Sequence, residues 1–183
     1  RNRRNYETER TSSLLNNFIQ DKKNIFEKFN TVTDKEQAAG LLPEFADIYI
    51  LDENMKIIRL IKKEQGSGIF TGYDFSFSRV AGFFTSGGMV SRMYRSPEKD
   101  AVSIYMAIKN GKKTLAARVP VDRLTNDFAI FAGYREEIIV FASPEGYVLS
   151  ASKKDMSLRV LPPESDEIIR IDMDYFITRK YNP

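Results

Sequence analysis

The chain has 183 residues, 42% hydrophobic and 29% charged, with 28 basic against 25 acidic side chains. That is enough to bury one core or two small ones, and the charge is too balanced to imply a nucleic-acid partner. Cys, His and Trp are all absent, which excludes disulfides, thiolate chemistry, histidine metal ligands and a Ser–His nucleophile together, so neither metal nor cofactor is expected.

No stretch approaches eighteen consecutive apolar residues and no signal-peptide pattern opens the sequence. The start at Arg1-Asn2-Arg3-Arg4 without Met reads as an excised fragment, with any membrane anchor outside it. From Tyr6 to Phe29, apolar residues Leu15, Phe18, Ile25, Phe26 and Phe29 follow the spacing of one helix face. Thr11-Ser12-Ser13 is poor helix material, so the firm part begins near Leu14. A short helix is expected over Asp34 to Leu42, with Asp34 as N-cap and Pro43 as stop.

A hairpin follows from Ile48 to Ile61 around Asp52-Glu53-Asn54, and Gln65-Gly66-Ser67-Gly68 then breaks the chain. Phe70 to Phe84 reads as a loop and short helix covering a sheet, and Val90 to Arg95 as a strand. Val102, Ile104, Met106 and Ile108 alternate with polar or small residues, Asn110-Gly111 signals a type I′ turn, and Thr114 to Val119 is the return strand. Pro120 and Asp122 open a helix to about Ala132. A second hairpin spans Ile138 to Ala151, with further strands expected at Leu158 to Leu161, Ile168 to Ile171 and Tyr175 to Arg179.

Ile48 to Lys63 and Ile139 to Lys154 share one sixteen-residue pattern, an apolar run, a polar turn, a second apolar run and a Lys-Lys end. The copies lie about ninety residues apart, the length of a small α/β module, which points to two similar modules in tandem. The fold class is then α+β, with antiparallel sheets and helices on one side.

Three segments carry a family resemblance. Asp47 to Ile58 resembles the opening hairpin of the extracytoplasmic double-Cache (PAS-like) sensor domains, with Met55 where a Gly is common. Tyr94-Arg95-Ser96-Pro97 and the strands after it, on to Leu124, resemble that family's central block, and Ile139 to Ser150 the start of its membrane-proximal module. The resemblance implies a helical stalk at residues 1–44, a membrane-distal ligand-binding module at 45–132 and an abbreviated proximal module at 133–183. It implies an ectodomain outside the cytoplasm, anchored in the membrane in the full protein and signalling to a kinase, a chemoreceptor rod or a cyclic-dinucleotide enzyme. No catalysis is expected in these residues, and no nucleophile elbow or phosphate loop is present.

The amino-acid-binding branch of the family carries a Trp-Tyr pair in the segment that here runs Tyr73 to Phe84, and an Asp late in the last distal strand. Here Trp is absent and Arg118 stands in place of that Asp. Arg118 and Arg92, then Arg79, therefore suggest a small anionic ligand such as a carboxylate, since a guanidinium fork matches such a group. Arg118 has the small Ala116 and Ala117 beside it. Tyr94, Tyr73 and Tyr105 are the aromatic candidates for ligand contact. A homodimer is expected through the first helix, with Leu15, Phe18, Lys22, Ile25 and Phe29 as its seam. The competing reading is a ligand-free dimerisation module whose distal pocket is filled, or, behind it, a soluble enzyme without a recognisable motif.

Overall fold

The computed structural model describes residues 2–99, 101–133, 138–142, 148–152, 168–172 and 177–181, with side chains described for residues 9–99, 101–133, 140–141 and 148–152. The strand expected at Leu158 to Leu161 lies outside the described residues. The chain divides into two compact units, one of residues 1–21 with 121–183 and one of residues 22–120.

Helix α1 (Asn2–Thr31) runs without interruption through Thr11-Ser12-Ser13. Thr11 is buried, so its environment overrides a weak propensity. The helix ends where Lys35 Nζ donates to the carbonyls of Asn30 and Val32, at 3.0 and 2.7 Å, satisfying acceptors that helix geometry leaves open. Helix α2 (Lys35–Gly40) starts as expected, with Asp34 Oδ1 accepting from the Gln37 N–H.

The unit of residues 22–120 is built on a five-stranded antiparallel sheet in the order β2 (Ile57–Lys62), β1 (Asp47–Leu51), β5 (Lys113–Pro120), β4 (Val102–Asn110), β3 (Tyr94–Arg95). Of the strand expected over Val90 to Arg95, only Tyr94–Arg95 pairs regularly, with Val90 making a lone bridge to Met106. Opposite residues of an antiparallel pair share a face. The register therefore places Asp47, Tyr49, Leu51, Ser103, Tyr105, Ala107, Thr114, Ala116 and Arg118 on one side. Ile48, Ile104, Met106, Leu115, Ala117 and Val119 lie on the other, all buried. Phe26 of α1 packs on Phe29 and Phe45, and the amides of Asn30 and Asn110 bond each other, tying the helix end to the tip of β4.

The β4–β5 turn differs from the expected type I′. Asn110 pairs with Lys113, so Gly111 and Lys112 are the central residues, and only Gly111 has positive φ, at 61°; type I′ needs positive φ at both. In the β1–β2 turn Met55 is left-handed at φ 62°, the position where the family resemblance expects Gly. Asp52 holds that turn by accepting from the N–H groups of Asn54 and Lys56.

The unit of residues 1–21 with 121–183 carries a second, four-stranded antiparallel sheet, ordered β7 (Val148–Ala151), β6 (Ile138–Ala142), β9 (Ile177–Tyr181), β8 (Ile168–Asp172). The two copies of the repeated hairpin thus belong to separate sheets, as tandem modules require. Helix α4 (Val121–Phe131) buries Val121, Leu124, Thr125, Phe128 and Ala129. Phe128 meets Phe18 and Phe141, and Thr125 Oγ1 bonds Ser150 Oγ at 2.8 Å.

The expected dimer seam needs correction. Leu15, Phe18 and Phe29 are buried within the chain itself, with Lys22 and Ile25 half-buried. The outward face of α1 is polar, with Asn16, Asn17, Gln20, Asp21 and Asn24 exposed.

Candidate functional site

One face of the five-stranded sheet is roofed by the segment from Glu64 to Lys99, which contains the short helix α3 (Ala81–Ser86). The small side chains Ala107 and Ala116 leave a hollow at the centre of that face. Rings fill it. Tyr49 stacks on Phe75 at 5.3 Å, Phe75 meets Tyr73 and Phe84 edge-on at 4.9 and 5.4 Å, and Phe84 meets Tyr105 at 5.7 Å. Ile69, Val80 and Phe83 extend this apolar cluster, with Tyr73 and Tyr94 half-buried against it. Stacked and edge-on pairs of this kind add about 0.5–1.5 kcal/mol each beyond area burial.

Beside the rings lies a buried polar cluster. Glu98, 3% exposed, accepts from the Tyr49 hydroxyl at 3.0 Å and from the hydroxyls of Tyr105 and Ser96 at 2.5 Å each. Its backbone carbonyl accepts from the Gly68 N–H at 2.7 Å. A Cβ on Gly68 would stand 3.3 Å from that oxygen, which suits the glycine to the close approach. Opposite Tyr105 in the strand register, fully buried Arg118 donates from Nε to Asp47 at 2.6 Å, from Nη2 to Glu64 at 2.6 Å and from Nη1 to Ser103 Oγ at 3.3 Å. Asp47 also accepts from the Glu64 N–H at 2.8 Å and from Ser67 Oγ at 3.3 Å. Glu64 in turn pairs with Lys99 Nζ at 3.2 Å. Burial opposes the charge on Arg118, but Asp47 and Glu64 outweigh it, and its pKa lies above the usual arginine value.

Burial, and then the Glu98 charge, push the phenols of Tyr49 and Tyr105 well above the ordinary tyrosine range; the same causes raise Tyr73 by less. A raised folded pKa means that the native state holds its phenol protons longer than the unfolded chain does. The corresponding stability is complete below pH 10, the unfolded value, and is lost as pH rises above it. Urea unfolding between pH 8 and 11 is expected to show a falling stability above pH 10. Tyr49→Phe should shallow that slope by about one proton's worth; an unchanged slope would show that Tyr49 takes no part.

The six residues expected to form the site separate into three groups. Tyr105, Tyr73 and Tyr94 come together on the ring cluster. Arg79 and Arg92 are exposed. Arg118 lies on the expected face, yet its fork is occupied by Asp47, Glu64 and Ser103, and the room expected beside Ala116 is taken by rings. Asp47, Glu64, Glu98, Ser96, Ser103 and Lys99 were not anticipated as site residues. The alternation of the β1 strand puts Asp47 on the face of Tyr49 and was a usable signal for it. A separate surface cleft of about 190 Å3 lies at the hairpin tips, lined in part by Asp52, Phe84 and Lys112. Among the described residues no acidic cluster could hold a metal ion, and no helix is long and apolar enough to cross a membrane.

No protein-family model matches the sequence, and no curated protein matches it. Solved structures do. The ligand-binding domain of the Pseudomonas fluorescens chemoreceptor CtaA, in complex with L-isoleucine, is 12% identical with a TM-score of 0.61, over 98% of this chain and 92% of that one. The ligand-binding domain of the Pseudomonas aeruginosa PAO1 chemoreceptor PctC, in complex with GABA, is 13% identical with a TM-score of 0.54, over 98% of each chain. The sensor domain of the V. cholerae histidine kinase DctB is 10% identical with a TM-score of 0.59, over 81% and 75%. All three are sensor or ligand-binding domains rather than enzymes. The chain has the fold of receptor sensor domains, which is the architecture that its resemblance to the double-Cache domains implies.

Proposed function

We propose that this chain is the extracytoplasmic ligand-sensing part of a membrane-anchored signalling receptor. The observation that carries the reading is a sensor-domain fold matched along almost the whole chain, joined to a face that sets tyrosines beside buried ionised groups. In this reading residues 45–132 form the distal, ligand-binding module, residues 133–183 the proximal one, and residues 1–44 the stalk. The ligand is a small polar metabolite contacting Tyr73 and Tyr94, with Tyr105 beneath. An anionic ligand is the reading for its charge, on condition that Arg118 can exchange one of its carboxylate partners. Dimerisation through α1 in the anchored protein would use its polar outward face, and cross-linking through single cysteines at Asn16, Gln20 or Asn24 tests it.

A second reading draws support from the rings of Phe75 and Phe84 filling the hollow over Ala107 and Ala116: a module that binds no small molecule and serves assembly alone. A thermal-shift screen of carboxylates, phosphates, amino acids and amines separates the two. A ligand at a hundredfold excess over its dissociation constant stabilises by about 2.7 kcal/mol, which in a chain of this size raises Tm by roughly 5–10 °C. The expected result is such a rise from at least one class, lost in Tyr94→Ala. A protein that responds to none of the four classes is the assembly module.

A further inference from the structure

Half-buried Glu64 stands out because its carboxylate lies between two cations that come from different segments. Arg118 Nη2 donates to it at 2.6 Å from the sheet, and Lys99 Nζ lies 3.2 Å away in the segment leading to β4. Asp47 and Arg118 are wholly buried, whereas the Glu64 side chain is 17% exposed and Lys99 is 40% exposed. The Glu64 N–H is separately held by Asp47 Oδ1 at 2.8 Å. Side-chain rotation alone can therefore carry the carboxylate off its two cations while the backbone stays fastened.

We infer that Arg118 and Lys99 form an anion-binding seat which Glu64 occupies as a built-in competitor, and that a small carboxylate or phosphate enters by displacing it. The inference rests on the sensing reading above and supplies the ligand's chemical class and its control. Charge counting supports exchange over addition. Among the described contacts, Asp47, Glu64 and Glu98 against Arg118 and Lys99 leave one net negative charge. An anion added to that cluster would double the charge; one that replaces the Glu64 carboxylate leaves it unchanged. The fork of Arg118 suits either form of ligand oxygen pair, and the Lys99 ammonium contributes as a point charge at the solvent edge.

The test is calorimetric titration of the 183-residue chain with sodium acetate, inorganic phosphate and methylammonium chloride at low, constant ionic strength. Apparent affinity falls with the fraction of molecules whose seat is open, so removing the competitor restores it. Glu64→Gln is expected to bind acetate and phosphate about tenfold more tightly than wild type or better, with methylammonium not gaining. Lys99→Gln in the Glu64→Gln background is expected to abolish the gain. If Glu64→Gln does not fold, Glu64→Asp, whose carboxylate is one methylene short of the cations, should show a smaller gain. Folded variants with no gain, or a gain indifferent to Lys99→Gln, would overturn the seat. A metabolite response in wild type that ignores both substitutions would also overturn the seat, while the sensing reading would stand. Anion gain in Glu64→Gln with no metabolite response in wild type would uphold the seat and count against that reading.

Discussion

Arg118→Met is expected to destabilise the domain by about 3–5 kcal/mol, the usual cost of removing one member of a buried ion pair. Asp47 is fully buried, and the substitution leaves its carboxylate without a cation; the Glu64 N–H and Ser67 Oγ that also reach it do not neutralise it. Urea unfolding at pH 7 measures the loss. Asp47→Asn in the same background should recover more than half, because Asn keeps an acceptor for the Glu64 N–H while discarding the stranded charge. The double-mutant cycle then gives the coupling itself. A single-variant loss below about 1 kcal/mol would mean that solvent screens the pair as it screens surface ones.

Phe75→Ala carries an expected loss of similar size, about 3–5 kcal/mol for a buried aromatic ring truncated in a packed core. Phe75 is wholly buried and touches Tyr49, Tyr73 and Phe84, so no single neighbour can collapse into the space. Urea unfolding again measures it. The same variant reports on the two functional readings. A ring that yields to an incoming ligand should leave the metabolite response intact or stronger once removed. A ring that permanently closes the module should give only the loss of stability.

Local chemistry was legible in the sequence at several points, though not in the β4–β5 turn, where Asn110-Gly111 suggested type I′. Asp34 caps its helix, the alternation from Val102 to Ile108 forms β4, and the family's Gly position holds Met55 in a left-handed conformation. Thr11-Ser12-Ser13 misled because burial of Thr11 was invisible to propensity. The helix face of Leu15, Phe18 and Phe29 was correctly apolar, but periodicity states that a face is buried and not by what. The site failed to show for the same reason. Asp47, Glu64 and Arg118 meet across separations of 71 and 54 residues, and Tyr49 meets Glu98 across 49. A strand's alternation names the side chains on a face, whereas the residues that roof it come from a loop with no period. Arg118 shares its face with Asp47, which the β1 alternation marks, but its other acidic partner, Glu64, comes from the segment just before the Gln65-Gly66-Ser67-Gly68 break, where no period marks it.

Sheet order gives the Arg118–Asp47 pair a mechanical meaning. β1 and β5 are neighbours at the centre of the sheet, and Asp47 opens β1 directly opposite Arg118 near the close of β5. The first strand to arrive in the module and the last to leave it are thus bolted together at one end. Val121, where α4 begins, lies three residues beyond Arg118. Only Val119 and Pro120 thus separate the residue that fastens the two strands from the first residue of the next helix.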